Sequence, residues 1–255
     1  MCTVSWTHFL ADVKQDAPLG GDGFDLFFNR DEARSRGPEQ APREFESRGV
    51  RYLAPTDGDA GGTWTCVNEF GLALGLLNGY HPSPADSNAP TISRGLLVRQ
   101  LAPCASPGEA FDDLTPVNLQ PYAPFVLVAV GPSAPARLLR WDGQRIHRQA
   151  DADGSMPLSS SGIDPSGAKI YRDELLANAR TLHPTDEARA LLAFHTGEGL
   201  RPDALTTCMS RADAETRSLV HIQVRARQIS LAHAAGRPDL TPLTSPQFLN
   251  RRQPN

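Results

Sequence analysis

The order of elements in the sequence predicts an α+β fold of mostly antiparallel sheets, with helices gathered in layers instead of alternating with strands. Three observations carry this. Strand-like segments come in groups separated by pairs of helices, which argues against a doubly wound parallel sheet. The longest apolar runs, at 72–77 and 125–130, are strand length. A chain of 255 residues that is 40% hydrophobic and 21% charged can fill a sizeable core. Two sheets sandwiched between helix layers satisfy the order.

Alternation over 2–10 and a denser apolar run at 24–29 predict two strands around a polar, Gly-rich loop at 16–23. The charged stretch 30–56 reads as irregular. Segments 63–68 and 72–78 flank the turn Glu69-Phe70-Gly71 and predict a hairpin. Three prolines make 80–90 a loop. Helices are expected at 94–101 and 107–114. The second opens on a capping box from Ser106 to Glu109, with Pro107 at the first helical position. Strands follow at 125–130, 137–141 and 145–149, the last two joined by Asp142-Gly143. Apolar residues at 170, 175, 176 and 179, and at 188, 191, 192 and 194, predict helices over 169–182 and 185–194. Strands at 206–210, 216–225 and 228–232 complete a single domain expected to span 1–236. The Pro-rich remainder, 237–255, is expected as an ordered strap or a loose tail.

The net charge of −4 provides no global basic field to recruit nucleic acid or an anionic membrane, and no apolar run is long enough to span one. The first ten residues lack the basic segment and long apolar stretch of a secretory signal, so a reducing cytoplasm is the expected location. The four cysteines, at 2, 66, 104 and 208, form no C-x-x-C, and the seven histidines have no ligand partner at helical spacing. Neither a resident metal nor disulfides are expected. A P-loop, a complete dinucleotide fingerprint, H-E-x-x-H and G-x-S-x-G are all missing.

Cys2 stands apart. Initiator Met is removed when the next side chain is small, and a chain that begins with Cys carries a nucleophile and an amine base on one residue. Asn29-Arg30-Asp31-Glu32 closes the second predicted strand. There Arg30 is expected beside Cys2, stabilising its thiolate or holding an anionic substrate group. Asp31 would pair with the terminal ammonium or with Arg30. Gly61-Gly62-Thr63-Trp64 opens the hairpin and Asn78-Gly79 closes it. Trp64 would cover a pocket or fill the core. The Asn78 amide would donate to an oxyanion or adopt a left-handed turn.

These segments, with Ser93-Arg94-Gly95 and with Cys208 followed by Thr216-Arg217-Ser218, resemble the NRDE family, also called the TANGO2-like family (transport and Golgi organisation protein 2), over roughly residues 1–230. The resemblance implies the N-terminal nucleophile hydrolase fold, a four-layer αββα sandwich. It also implies similarity to the cysteine amidases that cleave bile-salt conjugates and penicillin V. On that similarity Cys2, Arg30, Asp31 and Asn78 take catalytic roles. Asn29, Trp64, Ser160 and Arg217 join the substrate pocket, with Arg217 as its second cation. Leu158-Ser159-Ser160 stands where many relatives show Leu-Ser-Asn, so Ser160 is a shorter substitute.

The expected activity is hydrolysis of an amide or thioester bond of a small acyl substrate, without a cofactor. The alternative is a carrier that keeps the pocket for haem or an acyl-CoA-like amphiphile, in keeping with the haem trafficking to which eukaryotic relatives are linked. The expected partner in either case is a small acyl or amphiphilic molecule.

Overall fold

The computed structural model describes residues 2–9, 23–79 and 92–253. Met1 and the loops expected at 16–23 and 80–90 lie, apart from Gly23, outside the described residues. The chain runs β1 (Cys2–Phe9), β2 (Gly23–Ala33), β3 (Gln40–Ser47), β4 (Val50–Thr56), β5 (Thr65–Asn68) and β6 (Ala73–Asn78). The helices α1 (Arg94–Leu101), α2 (Pro107–Asp112) and α3 (Pro116–Leu119) follow. Next come β7 (Phe125–Gly131), β8 (Ala134–Trp141), β9 (Ile146–Gln149) and β10 (Leu158–Ser160). The longer helices α4 (Pro165–Leu182) and α5 (Glu187–Thr196) precede β11 (Ala214–Val224), β12 (Gln228–Ala235) and β13 (Gln247–Asn250).

Two sheets result. One has the order β10-β1-β2-β11-β12-β13, the other β3-β4-β5-β6-β7-β8-β9, and every pairing is antiparallel. Alternation along β2 sorts its side chains to two faces. Phe24, Leu26 and Phe28 meet Val67, Val128 and Leu138 in the core between the sheets. Phe27 joins Leu176, Leu191 and Phe194 of α4 and α5 on the other face. Leu74, Leu76 and Leu127 pack the second sheet against α1 and α2 through Leu97, Val98 and Phe111. The result is a four-layer αββα sandwich.

Several elements differ from the sequence reading. The stretch 30–56 holds β3 and β4, whose outer residues are charged because β3 is an edge strand with one wet face. The segment 206–210 is no strand: its one ladder contact is an isolated bridge, Ser210 to Glu215. It is instead a loop in which Asp203 caps the backbone N–H groups of Leu205 and Thr206. Residues 237–250 bring β13 onto the edge of the first sheet, with Leu249 buried in the central core. None of the helices among the described residues is long and apolar enough to cross a membrane.

Candidate functional site

Cys2 begins β1, between Arg30 on β2 and Ser160 on β10. Its side chain belongs to the inter-sheet core, on the same face as Val4, Trp6 and Phe28. The thiol sulfur accepts the backbone N–H of Asp31. The backbone nitrogen of Cys2 donates to Ser160 Oγ at 3.0 Å. Both atoms needed by a terminal nucleophile, sulfur and nitrogen, are therefore held by fixed partners. They lie at one end of the sandwich, against a cavity of about 100 Å³ whose wall includes Arg30, Glu32, Asp57, Trp64 and Asn78.

Two glycine-bearing segments build the opposite wall. Thr63 N–H donates to the Gly95 carbonyl at 3.1 Å, so the strand entering β5 crosses the first turn of α1 backbone to backbone. A Cβ on Gly62 would lie 2.6 Å from the Gly95 carbonyl carbon, and one on Gly95 would lie 2.8 Å from Thr63 N. Only glycine on both sides permits that approach. It sets Trp64 beside Ser93 and Arg94 on the cavity wall.

Arg30 lies with its guanidinium 4.5 Å from the centre of the Trp64 ring. Its two terminal nitrogens donate to Glu39 Oε2 at 3.1 Å and Asp57 Oδ2 at 2.7 Å. Glu39 also meets His233 Nε2 at 2.6 Å. Asp57 takes Arg36 on both oxygens and closes its own turn by accepting from Asp59 and Ala60 N–H. These contacts hold the Asp57 carboxyl below its usual range against the opposing effect of burial.

The sequence matches the Transport and Golgi organisation 2 family over residues 21–227. The chain belongs to that family. The matched span contains Arg30, Asp31, Trp64, Asn78, Ser160 and Arg217, and begins after Cys2. No curated protein matches the sequence. Among solved structures, the chain is similar to an N-acylethanolamine-hydrolyzing acid amidase orthologue from Caenorhabditis elegans. The two share 12% identity and a TM-score of 0.52, over 87% of this chain and 92% of that one. It is also similar to penicillin V acylase from Agrobacterium tumefaciens, with 12% identity and a TM-score of 0.48 over 96% and 85%. A variant of the conjugated bile acid hydrolase from Clostridium perfringens gives 11% and 0.49 over 92% and 96%. The fold of this family member is that of the N-terminal nucleophile hydrolases.

The structure brings Cys2, Arg30, Trp64, Asn78 and the Asp31 backbone to one cavity, with Ser160 at the Cys2 nitrogen. Three expected contributions change. Asn29 has the opposite parity to Arg30 and faces the helix layer. Its amide donates to the carbonyls of His195 and Thr207, so it does not enter the cavity. The Asp31 carboxylate faces the same way, accepting from Thr216 Oγ1 at 2.6 Å and pairing with Arg172 at 3.8 Å. Burial pushes its pKa up, and Arg172 opposes this most strongly. Arg217 is not a second cation beside Cys2. It falls where the β2–β11 register shifts between Thr216 and Ser218, and such a bulge re-aims its extra residue. Arg217 lies 3.5 Å from Glu215 and lines a separate cavity with Glu39, Gly236 and Arg237.

Arg30 favours the thiolate, as expected, but does not set the balance. Burial pushes the Cys2 thiol above its ordinary value, and the Asp31 charge pushes the same way. Arg30, neutralised by its carboxylates, opposes this weakly. The sequence reading missed Arg172, a fully buried cation on α4 that donates to Thr3 Oγ1 and to the carbonyls of Leu205 and Thr206. It also missed Glu39, within the charged stretch 30–56 that reads as irregular, and Asp57, just beyond it. A second buried network joins Ser5 Oγ, His195 and Asn29 Oδ1 at 2.8 and 3.0 Å. All three are sealed from solvent, so this arrangement organises the α5 contact and meets no substrate. Among the described residues no cluster of His, Cys, Asp or Glu could hold a metal ion.

Proposed function

We propose that this chain is a cysteine hydrolase of amide or thioester bonds in which Cys2, made amino-terminal by removal of Met1, is the nucleophile. The observation that carries this reading is the double fixing of Cys2, with its sulfur on the Asp31 N–H and its nitrogen on Ser160 Oγ at a cavity edge. With the thiol pushed up by burial, attack at neutral pH needs a base within reach, and a freed α-amine supplies one.

The amine takes the Sγ proton, and sulfur attacks the carbonyl carbon while the C=O π pair moves onto oxygen. Asn78, on the cavity wall at the end of β6, donates its amide N–H to that oxyanion. The oxyanion collapses, the C–N or C–S bond breaks, and the leaving group takes the proton from the ammonium. Water, deprotonated by the same amine, attacks the thioester. The acid leaves, and the proton returns to the thiolate. Ser160 orients the amine in this scheme, accepting from it in the neutral state.

A haem-carrying role is the less favoured reading: Cys2 is the candidate iron ligand on the wall, but the charged face of Arg30, Glu32, Arg36 and Asp57 suits a small polar group better than a porphyrin. Turnover of an acyl-amide and thioester panel by protein with Met1 removed tests the proposal. Wild type should release acid and lose that activity in Cys2→Ala. A broad panel left intact by the processed protein would refute it.

A further inference from the structure

The wall of the Cys2 cavity carries more than its nucleophile, and its charges are unevenly spent. Both terminal nitrogens of Arg30 are engaged by Glu39 and Asp57, and its face is covered by Trp64. Arg36 is drawn to Asp57 at 3.0 Å, Asp59 at 3.5 Å and Glu32 at 3.7 Å. Arg94 spends one terminal nitrogen on the Pro124 carbonyl. Beneath the strand, Asp31 and Arg172 balance each other. Around Arg30 and Arg36 stand four carboxylates, Glu32, Glu39, Asp57 and Asp59. Glu39 is further committed to His233, and Asp57 to two backbone N–H groups. Glu32 differs from these. Among the described residues, its Oε1 accepts only the N–H of Ala33, and its Oε2 has only the loose contacts to Arg30 and Arg36, at 3.6 and 3.7 Å. Its side chain is 25% exposed and lines the cavity. Independently of these acids, the buried Trp64 on the same wall has no partner for its Nε1–H among the described residues.

We infer that Glu32 is the specificity-determining residue of this site and selects substrates carrying a cationic group, such as a primary ammonium, over those carrying a carboxylate. The inference rests on the proposed function for the location of the site and deepens it by naming a substrate class. Residual hydrogen-bonding capacity on the wall sets this preference. At Arg30, the cation nearest Cys2 along the strand pair, a carboxylate substrate would have to displace Glu39 or Asp57, leaving a buried acid unpaired, and Arg94 is already drawn to the Pro124 carbonyl. A substrate ammonium needs only to complete the hydrogen-bonding of an oxygen already facing the cavity. The Asn78 amide on the same wall supplies a neutral donor for the substrate's carbonyl oxygen, so no guanidinium is needed there.

The test uses three amides of matched length: N-acetyl-1,4-diaminobutane (cationic), N-pentylacetamide (neutral) and 4-acetamidobutanoate (anionic). Binding to full-length Cys2→Ala protein is measured by calorimetry, and turnover is followed with wild type. The cationic amide should bind at least about tenfold more tightly than the anionic one, an effect that salt weakens. Glu32→Gln, which keeps the shape and the Ala33 contact, should reduce that ratio to about threefold or less, whereas Glu44→Gln on the exposed side of β3 should leave it unchanged. Equal binding of the three, tighter binding of the carboxylate, no binding of any, or an unaltered ratio in Glu32→Gln would overturn the inference. The charge order appearing in binding without turnover by wild type would uphold it and count against the hydrolase reading instead.

Discussion

At the scale of single residues, parity along one strand decides which side chains do chemistry. Cys2, Arg30 and Phe28 face the space between the sheets, while Thr3, Ser5, Asn29 and Asp31 face α4 and α5. A motif of four consecutive polar residues therefore splits into two jobs, and a sequence without a fixed register cannot say which member takes which. On the proposed mechanism, in which Asn78 is the oxyanion donor, Asn78→Ala should lower kcat by about 10²–10³-fold with little change in KM. A loss confined to KM would place Asn78 in ground-state binding only. On the buried side, His195 is held neutral, and burial lowers its pKa to about 3, with Arg172 adding to the effect. A folded-state value below the unfolded one near 6.5 means the unfolded chain binds a proton that the native chain refuses. Stability is therefore full above about pH 6.5 and declines as pH falls towards 3, by an amount on the order of 4 kcal/mol in total. The buried carboxylates with lowered pKa, Asp25 and Asp57, lose their contributions only near and below the ordinary carboxylate value of 3.8. Asp31, whose pKa burial raises, acts in the opposite sense, so the histidine is read from urea midpoints of wild type and His195→Gln compared between pH 6.5 and 4.5. The decline over that interval should vanish in His195→Gln, and a decline that persists there would contradict the assignment.

Elements show why some of the site was legible and some was not. Gly61-Gly62-Thr63-Trp64 and Ser93-Arg94-Gly95 were visible as separate signals, because glycine pairs and a helix start leave marks in composition. Their meeting was not visible: it is a backbone crossing between residues more than thirty positions apart. Gly62→Ala must push the strand off α1, and strain of that kind costs about 1–3 kcal/mol. It should lower the melting temperature and also impair the site, since Trp64 moves with the strand. Loss of stability with an intact site would mean that the crossing does not set the wall. Arg172 was illegible for another reason. On a helix otherwise patterned by charged and apolar residues it reads as a solvated cation, yet α4 lays it under β1, where it donates to Thr3, Leu205 and Thr206. Arg172→Met strands those acceptors and the Asp31 carboxylate, at a cost of about 3–5 kcal/mol. Arg172→Lys should recover only part of this, because one ammonium cannot reach the partners of a planar fork. Full recovery by lysine, read from urea midpoints, would contradict that geometry.

For the whole molecule, grouped strands and paired helices gave the layer order correctly, since each sheet packs one face on the other sheet and the opposite face on a helix layer. Of the strands missed, β3, β10 and β13 lie at sheet edges, where the apolar pattern thins, while β4 sits one place in from the edge and its apolar run is interrupted by Arg51 and Pro55. The sandwich carries β1 between β2 and β10 and so sets the first residue after Met1 at the end of the inter-sheet core. That placement is the central claim: an amino-terminal Cys2 whose sulfur and amine work together on a carbonyl. Intact mass of the processed protein after brief exposure to a slowly hydrolysed acyl thioester tests it most directly. The account predicts a chain lacking Met1 that gains a single acyl group, mapped to Cys2 and not to Cys66, Cys104 or Cys208, and no gain in Cys2→Ala. Retention of Met1, or a processed chain that stays unmodified or is acylated elsewhere, would contradict it.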